Sequence, residues 1–142
     1  MTKIDALKVW SLDYRLLTAV IMSVAPDVSA LGLEVKELFL LAELDATPYP
    51  AALAEALLIP KPTVSLYVKR LEAAGLLKRE IDCSDLRRYK LSLTPDGRKT
   101  MTRGLTLLTA AFGARLARLS ATQQAELKAL LEKLAKPPAP EK

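Results

Sequence analysis

"KPTVSLYVKRLEAAGLLKRE" (residues 61–80) begins with a proline and short hydroxyl residues, turns apolar at helical spacing, stops at a glycine and leaves in a burst of charge. Proline is favourable at a first helical position because its missing N–H would be unpaired there anyway. Glycine is common just past a helix end. The stretch therefore predicts a helix from Pro62 to Ala74, stopped at Gly75. Val64, Val68 and Leu71 share one face by i, i+4, i+7 spacing, with Tyr67 beside them. The opposite face presents Thr63, Ser65, Leu66, Lys69 and Arg70, with Lys61 just before the helix. Short residues let a helix N-terminus come close to a duplex, where cations and hydroxyls bond phosphates and base edges. An ordinary amphipathic helix with a solvated polar face would carry the same pattern, so this helix alone leaves both readings open.

Upstream, the turn clusters at 47–50 and 60–62 bracket a short helix with Leu53, Ala54 and Leu57 inward. Before it, a helix is expected from Val35 to Leu44 after a turn at Gly32. Residues 5–24 read as a helix with two apolar rows: Leu7, Trp10, Tyr14, Leu17, Ile21 and Val24, then Val9, Leu12, Leu16 and Val20. A helix apolar on two sides has two things to bury against, or one wide buried face. Pro26 is expected to end it. Downstream the period changes. Leu77, Arg79 and Ile81 alternate with Lys78 and Glu80, and Tyr89, Leu91 and Leu93 with Lys90 and Ser92, around a polar turn. This reads as a β-hairpin with a charged tip. Thr94 is a good N-cap before Pro95 and opens a long helix with Met101, Leu105, Leu108, Phe112, Leu116 and Leu119 in a row. Ser120 with Gln123 resembles a capping box for a last helix to about Ala135, carrying Leu127, Leu130, Leu131 and Leu134. A disordered tail is expected over 136–142.

Charge gathers where the opening stretch lies. Residues 1–60 are net −4, residues 61–103 net +6 and residues 104–142 net +3. A focused basic block suits a polyanionic partner. Aromatic residues are only 5% of a chain that is 51% hydrophobic, so leucine, alanine and valine must build the core. There is no histidine and a single cysteine, Cys83. That removes histidine-based metal sites, triads and general bases, and any intramolecular disulfide framework. With no glycine-rich phosphate loop either, no catalytic site, cofactor or metal is expected, and an enzyme is not. No uncharged apolar run reaches the roughly 18 residues of a membrane span, and the expected location is cytoplasmic, at the nucleoid.

The order helix, turn, helix, β-hairpin is that of a winged helix-turn-helix, mainly α with one small hairpin. Arg87, Arg88 and Lys90 lie at or near the wing tip, and arginine is drawn to the enhanced negative potential of a narrow minor groove. Asp85 beside Arg87 suits a local ion pair that holds the turn. Two stretches together resemble the MarR family of bacterial and archaeal transcriptional regulators: "LAEALLIPKPTVSLYVKRLEAAGLLKRE" (53–80) and "DCSDLRRYKLSLTPDG" (82–97). In the second, Asp85, Arg87, Leu93, Thr94 and Gly97 fall on that family's wing pattern. The resemblance departs at Leu58, where a small or flexible residue is usual, and at Leu86, where a second basic wing residue is common.

The resemblance implies a homodimer of triangular outline, in which the N-terminal helix and the last two helices intertwine with their mates. It implies that Arg87 enters the minor groove, that Thr63, Ser65 and their neighbours enter the major groove, and that the site is pseudo-palindromic. It implies repression relieved by a small anionic aromatic compound or an oxidant. The expected organisation is thus a helical dimerisation region over 1–30 and 95–135 around a winged lobe over 31–94, with Leu7, Leu17, Leu127 and Leu131 in the dimer interface. Trp10, Tyr14 and Arg15 are candidates for a ligand pocket, Arg15 as the anion's partner, although the two aromatics suit dimer core as well. Cys83 lies between Asp82 and Asp85, which disfavour a thiolate, while Arg87 and Arg88 favour one. The competing reading is a winged-helix module that binds protein and not DNA.

Overall fold

The computed structural model describes residues 3–137; the expected tail lies, beyond residue 137, outside the described residues. Six helices and one hairpin follow in order: α1 (Ala6–Ala30), α2 (Val35–Glu43), α3 (Pro50–Leu57), α4 (Lys61–Ala73), β1 (Leu77–Ile81), β2 (Tyr89–Leu93), α5 (Pro95–Leu116) and α6 (Ala121–Ala135). The expected elements are all present. The correction is to α1, which passes through Pro26 and ends at Ala30. Proline removes one helical hydrogen bond and crowds the preceding turn. Here Val20, Val24 and Val28, spaced by four and all buried, bracket the proline and hold the last turn on the core.

The core lies among the C-terminal half of α1, α2, α3, α4 and the hairpin. Leu38, Leu40, Leu41, Leu44, Leu53, Val64, Val68, Leu71, Leu77 and Leu91 are essentially sealed from solvent. The strands pair antiparallel from Leu77 opposite Leu93 to Ile81 opposite Tyr89. Ile81, expected on the buried side of the alternation, is exposed because the hairpin has by then left the core. The Leu91 N–H donates to the Pro48 carbonyl at 2.8 Å, which ties the wing to the loop before α3.

Three helix ends share one hydrogen-bond pattern. Leu33 N–H reaches Val28 O, Ile59 N–H reaches Ala54 O, and Leu76 N–H reaches Leu71 O, each closing a helix end through a left-handed residue. Gly32 (φ +83°) and Gly75 (φ +75°) fill two of those positions. The third, between α3 and α4, is filled by Leu58 at φ 54° and ψ 42°. A leucine there is strained by roughly 1–2 kcal/mol, because its Cβ crowds the following carbonyl.

Thr94 caps α5 as expected, accepting from the Gly97 N–H at 2.9 Å and donating to the Gly75 carbonyl at 2.6 Å. Gly97 lies so close to β1 that an added Cβ would stand 1.8 Å from the Leu76 carbonyl oxygen. That contact seats α5 on the lobe. Ser120 and Gln123 form the capping box of α6, and Gln124 bonds back to the Leu116 and Leu119 carbonyls. No single helix among the described residues is long and apolar enough to cross a membrane.

Candidate nucleic-acid interface

The inward face of α4 is the one its spacing predicts: Val64, Tyr67, Val68 and Leu71 are buried. Lys61, Ser65, Leu66 and Lys69 are exposed, and Thr63 is half-buried. The first turn of α4 carries no acidic residue to offset the positive end of its dipole.

Arg70 has a different place from the one expected on that outward face. Its guanidinium turns back to α2, donating to Glu37 Oε1 at 3.0 Å and to Glu34 Oε1 at 3.2 Å. Glu37 is only 1% exposed, and it also accepts the Glu34 backbone N–H at 2.9 Å. A buried carboxylate needs such partners, so Arg70 serves as a clamp between α4 and α2. Burial pushes the neighbouring Tyr67 phenol up, and Glu34 adds to the effect.

The wing is held by a second cluster. Asp82 accepts from the Ser84 hydroxyl at 2.6 Å and the Ser84 N–H at 2.9 Å, and from Arg88 Nε at 2.9 Å. These donors, Ser84 first, hold the Asp82 carboxyl well below the usual carboxylate range. Arg88 also lies over the Tyr49 ring at 4.1 Å, and the Asp82 carboxylate raises the Tyr49 phenol. So Arg88, expected as an outward wing cation, latches the base of the wing to the start of α3. Asp85 accepts the Arg87 N–H at 3.0 Å and meets its Nε at 3.4 Å. This is the local pair expected, and it leaves the Arg87 side chain 93% exposed. Cys83 is exposed at the same tip.

Pairing ties up part of the basic block. Arg79 is taken by Glu72, Lys78 by Glu80 and Arg98 by Asp45. Within this block Lys61, Lys69, Lys90, Lys99 and Arg103 have no carboxylate partner among the described residues, and Arg87 has a loose, exposed one. Lys61 and Lys69 lie towards the two ends of α4's outer face, Arg87 and Lys90 on the wing, and Lys99 and Arg103 on α5.

The three residues expected to line a ligand pocket lie on the surface of this chain. Trp10 and Tyr14 stack at 6.4 Å and are more than half exposed, and Arg15 is exposed too. None lines the apolar cavity of this chain. A cavity of about 420 Å³ opens further along α1, walled by Leu16, Leu17, Val20 and Ile21, by Phe39 of α2, by Leu108 and Phe112 of α5, and by Leu127 and Leu131 of α6. Its lining is almost wholly apolar, with Asp13 as the one charged residue and no cation. Phe39 was the wall that sequence reasoning missed.

A helix-turn-helix whose second helix presents short and cationic side chains, followed by an arginine-tipped hairpin, defines a winged helix-turn-helix protein. The family model described as MarR family matches residues 31–88. The HTH-type transcriptional repressor Rv2887 of Mycobacterium tuberculosis is 33% identical over 123 residues, 85% of this chain and 88% of that one. The chain belongs to the MarR family. Two solved structures of that Mycobacterium tuberculosis protein superpose on it. Its complex with DNA does so at 30% identity with a TM-score of 0.74, covering 94% of this chain and 100% of that one. Its complex with p-aminosalicylic acid does so at 32% identity with a TM-score of 0.72, covering 89% and 97%.

Proposed function

We propose that this chain is a sequence-specific, double-stranded-DNA-binding transcriptional repressor that acts as a homodimer on a pseudo-palindromic operator. Residues 31–94 form the reading lobe; residues 1–30 and 95–135 pair with a second copy. α4 enters the major groove with Lys61, Thr63, Ser65, Leu66 and Lys69. Arg87 enters the minor groove, with Lys90 on the nearby phosphates and Asp85 setting the arginine's direction. The observation that carries the reading is that α4 presents exposed Lys61, Ser65, Leu66 and Lys69 on its outer face, beside a wing whose Arg87 side chain is 93% exposed. The repressor related at 33% identity and its solved DNA complex support it. The protein works in the cytoplasm, on the nucleoid, and needs no cofactor.

Repression is relieved by a small aromatic or anionic ligand, as the relative solved with p-aminosalicylic acid suggests. The cavity between α1, α2, α5 and α6 is its seat. With no cation in the lining, a ring would sit inside and any anionic group at the mouth.

Selection from a random duplex pool at about 100 mM salt, where screening is physiological in scale, tests the reading. An enriched palindrome is expected. Arg87→Ala should weaken binding to it and lower the slope of log affinity on log salt by about 1, with the fold intact. No retention of any duplex, even at low salt, would leave the protein-interaction module in its place.

A further inference from the structure

We propose that Leu66 is the residue with which α4 reads a thymine, by packing on its 5-methyl group in the major groove. The proposal rests on the DNA-binding reading above and gives it a base preference.

Pro62, Ser65, Leu66 and Lys69 lie on one outward stripe of α4 by spacings of three and four. Leu66 is the one large apolar side chain exposed on this helix, at 57%; Val64, Tyr67, Val68 and Leu71 are all buried. Its neighbour one turn on, Arg70, would ordinarily lie along this face. Its guanidinium is drawn away to Glu37 and Glu34, so no cation from that position covers the leucine. Lys61 and Lys69 stand towards either end of the stripe without carboxylate partners among the described residues. Lysines in those places suit phosphates, which carry no sequence information. The middle of the stripe is Ser65 and Leu66, and its one large contact surface is apolar.

Chemistry narrows what an apolar centre can read. In the major groove each base pair shows donors and acceptors, and the thymine methyl is the one apolar group. Leucine has neither donor nor acceptor. Packed on any other edge it would strip water from a polar atom and return nothing. Single exposed leucines are ordinary on protein surfaces, so the test must isolate the methyl group.

The operator from the selection above is remade with deoxyuridine replacing each thymine in turn, which removes the methyl and leaves base pairing unchanged. Affinities of the full-length wild type, Leu66→Ala and Arg87→Ala are measured by fluorescence anisotropy. At one thymine in each half-site, the wild type should lose about threefold to fivefold on loss of the methyl, the worth of one buried methyl group. Arg87→Ala should keep that loss, and Leu66→Ala should be indifferent to the methyl there. The same uridine profile for wild type and Leu66→Ala, or a selected half-site without thymine, would overturn the proposal while the DNA-binding reading stands. Failure to retain any duplex would overturn both.

Discussion

In the winged lobe, Leu38, Leu40, Leu41, Leu44, Leu53 and Leu71 all point inward and are sealed. On α1 and α6, Leu7, Leu12, Leu17, Leu130, Leu131 and Leu134 are between 45% and 80% exposed, as is Trp10, and α6 buries no residue at all. The two regions have similar apolar content and opposite solutions for it. The lobe closes a core within one chain. The flanking helices carry contiguous apolar surface of a kind that monomers rarely leave bare. If the bare faces pair as proposed, folding of the lobe and pairing of the helices are separable, and each can be perturbed while the other is watched.

The largest break should come from Leu17→Glu. A charge placed without a partner in the proposed interface costs about 3 kcal/mol or more, enough to weaken dimerisation at least a hundredfold by sedimentation equilibrium. The lobe's circular dichroism should persist. A stable dimer with this change would mean that the exposed row on α1 meets something else. Gly97→Ala attacks the seam between the regions. With the new Cβ driven onto the Leu76 carbonyl, overpacking should destabilise by about 1–3 kcal/mol in urea unfolding. Arg70→Met tests the lobe from within. It leaves Glu37 buried without its cation and should cost about 1–3 kcal/mol, with the salt slope of DNA binding unchanged. A phosphate contact would give the converse, unaltered stability and a flatter slope. Leu58→Gly is the smallest and has the opposite sign. Relief of the left-handed strain, less the entropy of an added glycine, should stabilise by a few tenths to about 1 kcal/mol in thermal melts.

Much of this was legible in the sequence because it is local. The caps at Thr94 and Ser120, the proline start of α4, the stop at Gly75 and the two strands of the hairpin all rest on neighbours a few residues apart. What was not legible rests on distant partners. Nothing near Pro26 announces that Val24 and Val28 will be gripped by the core and carry the helix past it. Arg70 meets Glu34 across 36 residues and Glu37 across 33, so helical periodicity alone left it on the outer face. The cavity takes walls from four helices, and its position depends on where α6 folds back, which no single helix encodes. The Asp82 latch could have been found in part. Asp82 and Ser84, two apart, have the spacing of a side-chain-held turn, although the Arg88 and Tyr49 partners could not be foreseen.

The Asp82 latch also bears on acidity. A carboxylate whose folded value is depressed contributes stability that is fully present above its unfolded value and is lost only as the pH falls through the folded one. For Asp82 that loss falls below the ordinary carboxylate range, so the latch keeps its charge in mild acid. The chain has no histidine, the side chain that most readily turns mild acid into a change of charge. Operator affinity measured at constant ionic strength should therefore be level between about pH 5.5 and pH 8. Mild acid would leave the charge of this wing unread.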